Sequence, residues 1–344
     1  MNDAPAGLDP RVLEKYLATS SPGLFHGPLE ARLISGGRSN LTYEVTDGER
    51  RLVLRRPPLG HVLATAHDMG REYRVMTALA GTAVPVPRTH LLCEDTSVLG
   101  APFYLMELVE GTPYRTAEQL EPLGAARTRV ISERMVDTLA ALHSVDPREV
   151  GLGDFGRPQG FLARQVRRWA TQLEHSRSRE LTGAEELHRL LLENLPADGE
   201  AGIVHGDYRL DNVLVDDRDE VVAVLDWEMA TLGDPVTDVA LLLIYQRLAR
   251  AETEFPVSTV SRAPGFLGDD ALLARYEAAG GRDLSDMAFH LGLACFKLAV
   301  ILEGIYFRFT QGKTVGAGFE ELGRGVEPLL SEGIAALTGA SPAR

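Results

Sequence analysis

The spacing of apolar residues changes period at Gly111, and that change restricts the chain to few architectures. Before it, "LEARLISGG" (29–37), "NLTYEVTDGERRLVLRR" (40–56), "PRTHLLCED" (87–95) and "APFYLMELVEG" (101–111) are rich in strand formers. Asp47-Gly48 marks a hairpin within the second of them. One helical segment, 69–81, interrupts the set, with Met69, Tyr73, Met76, Leu79 and Ala80 at helical spacing. After Gly111 helices are expected over 127–145, 158–194, 235–250, 269–279, 285–310 and 317–337, and a short one follows the Asp9-Pro10 cap. The exception is 203–226, which has the pattern of short strands. The expected class is α+β: a small antiparallel sheet with one main helix, then a larger, mostly helical part.

A chain of 344 residues fits two lobes, and 44% hydrophobic with 24% charged residues is an ordinary globular composition. The formal net charge of −14 is unfavourable to nucleic acid, which needs clustered Lys and Arg. Cys93 and Cys295 are far apart, so neither a disulfide framework nor a CxxC metal site is expected. Residues 288–309 are apolar, but His290, Lys297, Glu303 and Arg308 interrupt them, which predicts a buried helix rather than a membrane span. The opening Met1-Asn2-Asp3-Ala4-Pro5 lacks the basic end and apolar run of a signal peptide, so the expected location is cytoplasmic.

"IVHGDYRLDNVLV" (203–215) sets His205, Asp207, Arg209, Asp211 and Asn212 between apolar residues, where each polar group needs a partner. The strands 212–215 and 221–225 flank the charged turn Asp217-Arg218-Asp219-Glu220. A hairpin centred there sets Asn212 opposite Leu225 and beside Asp226, within roughly 5 Å across the pair. An amide oxygen and a carboxylate so placed are hard ligands suited to Mg2+, with waters and substrate phosphates completing its shell. Asp207 enters the same place on the preceding loop, positioned to accept a proton from an attacking hydroxyl.

Base, asparagine five residues on, then an aspartate after a hairpin is the layout of kinase phosphoryl transfer. With His205-Gly206-Asp207 in place of His-Arg-Asp, the chain resembles the aminoglycoside phosphotransferase and choline kinase branch of the kinase-like superfamily. "HGDYRLDN", "LDWE" and "LGDPVTDVA" are most similar to the phosphotransferase domain associated with acyl-CoA dehydrogenases, over about 29–340. The resemblance implies a bilobal protein kinase-like fold: a nucleotide-binding lobe (1–106), a hinge (107–111) and a catalytic and substrate-binding lobe (112–344). It implies ATP and Mg2+ as cofactors and a small-molecule hydroxyl as phosphate acceptor, with Asn212 and Asp226 as metal ligands. Neither a nucleic acid nor a membrane is an expected partner, and no heptad pattern decides the oligomeric state.

On the nucleotide side, the Gly36-Gly37 turn permits close backbone approach to phosphates, with Ser39 and Asn40 as further donors. The kinase pattern has a strand lysine paired with a helix glutamate; this chain offers Arg55 and Glu72. The dehydrogenase-associated relatives resemble it in that arginine. By resemblance the hinge places Met106 beside the base, with the Glu107 carbonyl and Val109 amide at the adenine edge, and Asp238 holds the catalytic loop. Arg209 either neutralises the transferring phosphoryl group or pairs with Asp211, and His205 is expected as an orienting, hydrogen-bonded core residue. Glu228 is a second phosphate-site residue or faces solvent; Tyr208 and Trp227 line the acceptor pocket or pack. Gly312-Lys313-Thr314 imitates a P-loop ending, but Phe307 stands where its first glycine belongs. The acceptor is expected on a hydroxyacyl compound or hydroxyacyl-CoA; an aminoglycoside or amino alcohol is the alternative, and a regulatory nucleotide-binding pseudokinase is a third possibility.

Overall fold

The computed structural model describes residues 5–36, 40–59, 68–251, 258–312 and 322–339. In chain order the elements are α1 (Pro10–Ser20), β1 (Glu30–Gly36), β2 (Leu41–Thr46), β3 (Arg51–Arg56), α2 (Met69–Leu79), β4 (Thr89–Cys93), α3 (Thr96–Leu99) and β5 (Phe103–Glu107). They continue with α4 (Ala117–Leu120), α5 (Gly124–Ser144), α6 (Phe161–Ser176), α7 (Ala184–Glu193), β6 (Gly202–Val204), β7 (Val213–Val215), β8 (Val221–Val224) and β9 (Thr231–Gly233). Helices α8 (Val236–Arg250), α9 (Asp269–Ala278), α10 (Met287–Thr310) and α11 (Val326–Thr338) complete the chain. Two compact units result: Met1–Thr112 with Val222–Ala230, and Pro113–Val221 with Thr231–Arg344.

The first unit is built on an antiparallel sheet in the order β1-β2-β3-β5-β4. The hairpin between β2 and β3 forms at Asp47-Gly48, where Asp47 Oδ1 accepts the Arg50 N–H at 2.8 Å and glycine supplies a φ of 91°. One sheet face buries Tyr43, Val45, Leu54, Phe103 and Leu105 with Leu13 and Leu17 of α1. Because side chains alternate along a strand, Arg55 points away from that core, with Tyr104 opposite it in register. Helix α2, capped by the Asp68 side chain on the Arg71 N–H, buries Met69, Glu72, Val75, Met76 and Leu79. Glu72 thus occupies a position in an apolar stripe and must be paired.

The second unit is organised around α10, whose Leu293, Phe296, Leu298 and Val300 are buried among residues of α6, α7, α8 and α11. Among the described residues α10 is the helix long and apolar enough to cross a membrane, and 72% of its apolar window is buried inside the protein. The helical stretch expected over 158–194 is two helices. Glu303, fully buried on α10, accepts hydrogen bonds from Ser178 N–H (3.2 Å), Ser178 Oγ (2.7 Å) and Arg179, which holds the intervening segment out of helix. Asn212 closes a one-turn 3-10 helix, Leu210–Asn212, ahead of β7 rather than opening the strand. The charged turn after β7 closes through Asp216 N–H to Glu220 O at 3.0 Å. Lys313, Thr314 and the start of the helix expected over 317–337 lie outside the described residues.

Strand β6 runs directly into His205 and is held by antiparallel pairing with β9, Gly202 opposite Gly233. A Cβ on Gly233 would lie 2.7 Å from the Phe161 ring, and one on Gly202 would lie 2.5 Å from Pro235 Cγ. Both strands are glycine at that step because their neighbours occupy the space. Gly233→Ala should therefore cost about 1–3 kcal/mol by overpacking. Urea unfolding is the check: a lower midpoint with unchanged slope is expected, and a midpoint at the wild-type value would contradict the close approach.

Candidate active site

In the second unit the segment His205-Gly206-Asp207 is anchored to the first turn of α8. The Asp238 carboxylate, fully buried, accepts the His205 N–H at 2.7 Å and the Gly206 N–H at 2.8 Å, with His143 Nε2 at 3.4 Å. Burial alone would raise the Asp238 pKa, but the His143 side chain and these amides outweigh it and hold the carboxyl below its ordinary value. Gly206 takes a φ of 87°, which an L side chain resists. The Asp207 N–H donates to His205 Nδ1 at 3.2 Å, so the imidazole is used as an orienting group within the loop.

Asp207 is itself held on both carboxylate oxygens. Tyr245 Oη donates to Oδ1 at 3.0 Å, and Asn212 Nδ2 donates to Oδ2 at 3.1 Å and to the Asp207 carbonyl at 2.9 Å. Burial and the adjacent carboxylate raise the Tyr245 pKa well above its ordinary value, so the phenol remains a donor. Using Nδ2 for Asp207 turns the Asn212 amide oxygen the other way, and it has no hydrogen-bond partner among the described residues. Arg209 lies 3.4 Å from Asp207 Oδ2, pairs with Asp211 Oδ2 at 3.1 Å, and stacks 5.1 Å over the Tyr245 ring. The buried Asp211 Oδ1 has no partner among the described residues, and burial, opposed by Arg209, raises its pKa.

The first unit carries a second cluster. Arg55 Nε lies 2.9 Å from Glu72 Oε2, an ion contact whose N–H is not aimed at the oxygen, and its Nη2 bonds Asp226 Oδ1. Tyr104 Oη donates to Glu72 Oε2 at 2.8 Å. Burial pushes the Glu72 carboxyl up, with Arg55 and Tyr104 opposing; burial also works against the Arg55 charge, but Glu72, Asp226 and Glu228 hold it above its ordinary value. Asp226 adopts the left-handed conformation, φ 65°, uncommon for a non-glycine residue. Asn40, expected as a donor at the loop tip, instead faces inward: it is 3% exposed, and its Nδ2 donates to Glu72 Oε1 and Glu228 Oε2, each at 3.1 Å. Two adjacent carboxylates attract the amide more strongly than solvent does. Gly36 ends β1 opposite Leu41, whereas Gly37 and Ser39 lie outside the described residues.

Along the segment expected as the hinge, Met106 is buried on β5 between Val53 and Thr89. Glu107 is exposed and its N–H donates to Arg88 O at 2.8 Å, while the Val109 N–H has no partner among the described residues. Tyr208, bonded to Met135 O at 2.7 Å, and Trp227, bonded to Val224 O at 2.9 Å, are packed inside their units. Sequence patterning missed Tyr245 and Lys297 as site residues. Both sit on helices that read as core, and the only trace was a charge interrupting an apolar run at 297. Lys297 Nζ donates to Gly206 O at 3.0 Å.

A carboxylate on a rigid loop with an asparagine five residues on, together with a sheet bearing an arginine–glutamate pair, defines a kinase-like phosphotransferase. Residues 30–290 match the phosphotransferase enzyme family, and the chain belongs to that family. It is 35% identical over 330 residues to acyl-CoA dehydrogenase family member 10 of Mus musculus, covering 92% of this chain and 30% of that protein. To acyl-CoA dehydrogenase family member 11 of Homo sapiens it is 33% identical over 334 residues, covering 95% and 43%. The chain therefore spans less than half the length of these curated relatives. Among solved structures, a Ralstonia eutropha JMP134 protein whose assignment as an aminoglycoside phosphotransferase is itself provisional shares 33% identity, with a TM-score of 0.84 over 97% of this chain and 99% of that one. Aminoglycoside phosphotransferase APH(4)-Ia, solved with AMP-PNP and hygromycin B, shares the fold at a TM-score of 0.61 and 16% identity, over 94% and 98%.

The depressed pKa of Asp238 makes its contribution to stability present above the unfolded-state value near 4 and lost as pH falls through the lower folded value. Asp238→Asn should be less stable at pH 7 by about 1–3 kcal/mol, because one buried amide loses its acceptor. Its stability should also decline less than wild type on acidification below about pH 4. A variant with an equal or steeper acid decline would remove Asp238 from this role.

Proposed function

We propose that the protein is an ATP- and Mg2+-dependent small-molecule O-phosphotransferase. The observation that carries this is the Asp207 carboxylate, held on both oxygens by Tyr245 and Asn212 in a loop pinned by Asp238. Such fixation suits a group that must orient one hydroxyl and take its proton, where positioning does most of the work. The Asn212 amide oxygen, directed away from Asp207, and the Asp226 carboxylate are the hard oxygens that would hold Mg2+. The reading requires both to serve one ion in the working complex. When bound, the ion neutralises charge on the nucleotide phosphates. Arg55, already paired with Glu72, would bind those phosphates in place of the usual lysine, its fork reaching more than one oxygen. The Gly36-Gly37 turn would cover them, with Asn40 bracing its base. Met106, Glu107 and Val109 would receive the adenine. Asp207 would take the acceptor proton at a carboxylate oxygen as the hydroxyl oxygen bonds to the γ-phosphorus of ATP and the bond to the bridging oxygen breaks, releasing ADP, with no covalent enzyme intermediate.

The similarity to acyl-CoA dehydrogenase family members 10 and 11 supports a hydroxyl on an acyl compound, a hydroxyacyl-CoA among them, as acceptor. An aminoglycoside or amino alcohol is the second reading, supported by the shared fold of a hygromycin B complex. The test is phosphate transfer from ATP and Mg2+ to a panel of hydroxyacyl-CoAs, hydroxy acids, amino alcohols and aminoglycosides. Asp207→Asn should lower kcat by about 100- to 10,000-fold while nucleotide affinity stays near wild type. Wild-type turnover in that variant would sink the assignment of Asp207, and ATP binding without transfer to any acceptor would favour a pseudokinase.

A further inference from the structure

Only three of the chain's 35 basic residues are lysines, Lys15, Lys297 and Lys313. One of them, Lys297, sits in the middle of the most apolar helix of the second unit. Its ammonium has three donors and uses one, on Gly206 O at 3.0 Å. Among the described residues no carboxylate lies within ion-pair distance of it. Burial lowers its pKa, the charges of Asp207 and Asp238 oppose that, and the nearby Arg168 adds to the lowering. The Trp169 ring of α6 has two cations near it, with Lys297 Nζ 5.9 Å and the Arg168 guanidinium 5.3 Å from its centroid. Arg168 also has no carboxylate partner among the described residues. By contrast, Arg209, on the other part of the loop, is committed to Asp207 and Asp211.

Lys297 is half-buried, and an ammonium with two donors left over on an apolar helix can take a bound anionic oxygen. In a chain of net charge −14, a lysine bonded to the carbonyl next to Asp207 is a local charge opposite in sign to the protein as a whole. We infer that Lys297, with Arg168 at the same Trp169 ring, is the specificity-determining group for the acceptor, and that it takes an acceptor bearing a negatively charged oxygen, a carboxylate or phosphate, near the hydroxyl to be phosphorylated. Polycationic acceptors are disfavoured at the same place. This rests on the phosphotransferase reading; it disfavours an aminoglycoside and, among acyl compounds, favours a hydroxy acid over a hydroxyacyl-CoA, whose thioester carries no charge near the hydroxyl.

The test uses the full chain with a matched pair, 3-hydroxybutyrate and its neutral amide 3-hydroxybutyramide, and one aminoglycoside, in wild type, Lys297→Met, Lys297→Arg and Arg168→Ala. Wild type should prefer the carboxylate, and Lys297→Met should reduce that preference by about 10- to 100-fold, the worth of a charged hydrogen bond, chiefly through KM. Lys297→Arg should keep most of it, and the surface variant Arg168→Ala should lose a smaller part. An equal loss of kcat on acid and amide in Lys297→Met would instead assign the lysine to the loop or the phosphoryl group and overturn the inference. So would a wild-type preference for the aminoglycoside. Equilibrium dialysis of 3-hydroxybutyrate separates the two levels: binding lost in Lys297→Met, without turnover of any acceptor by wild type, supports the anion subsite and rejects the kinase. Absence of both binding and turnover of this probe in wild type rejects the subsite.

Discussion

The loop that carries Asp207 depends on one buried carboxylate. Asp238 gives its two oxygens to consecutive backbone amides, His205 and Gly206, and without it both N–H groups would be stranded where no water competes. Glycine at 206 follows from the same contact, because the chain turns through a positive φ to aim two successive amides at one side chain. The turn then delivers Asp207, and Tyr245 and Asn212 fix its rotamer. Three further groups of "HGDYRLDN" support this network: His205 accepts from the Asp207 amide, Tyr208 anchors to α5, and Asn212 bonds back across five residues.

The first unit solves a different electrostatic problem. Glu72 points from an apolar helix stripe into the sheet, and Arg55 comes up from the opposite side to meet it. A lysine there would offer one point charge; the guanidinium also reaches Asp226. Tyr104 and Asn40 supply further donors, so the buried Glu72 meets one cation and a neutral frame of hydrogen bonds, while Asp226 at the other end of Arg55 stays partly exposed. Removing either member of such a pair leaves an uncompensated charge, which is why the arginine and glutamate must change together or not at all.

Much of this was legible in the sequence for specific reasons. Period-two apolar runs and Asp47-Gly48 located the sheet and its hairpin, and the 3.6-residue pattern located α2, α5, α8 and α10. Arg55 and Glu72 were legible as a pair from the strand-lysine and helix-glutamate of the kinase pattern. The stretch 158–194 was not separable into two helices, because the residue that interrupts it, Glu303, is more than a hundred positions away. Asn40 read as a loop-tip donor for the same reason: its partners Glu72 and Glu228 are 32 and 188 residues distant.

The sequence by itself determined the order of strand-rich and helical parts, most of the elements and the family, since all of these depend on periodicity and on short spacings along the chain. Tertiary structure alone decided which donors each carboxylate receives, that Asn212 turns its amide oxygen away from Asp207, and that an isolated lysine of an apolar helix ends on the carbonyl of Gly206. Hydrogen bonding and burial act over a few ångströms of space, and nothing in the chain's order records which distant residues will come that close.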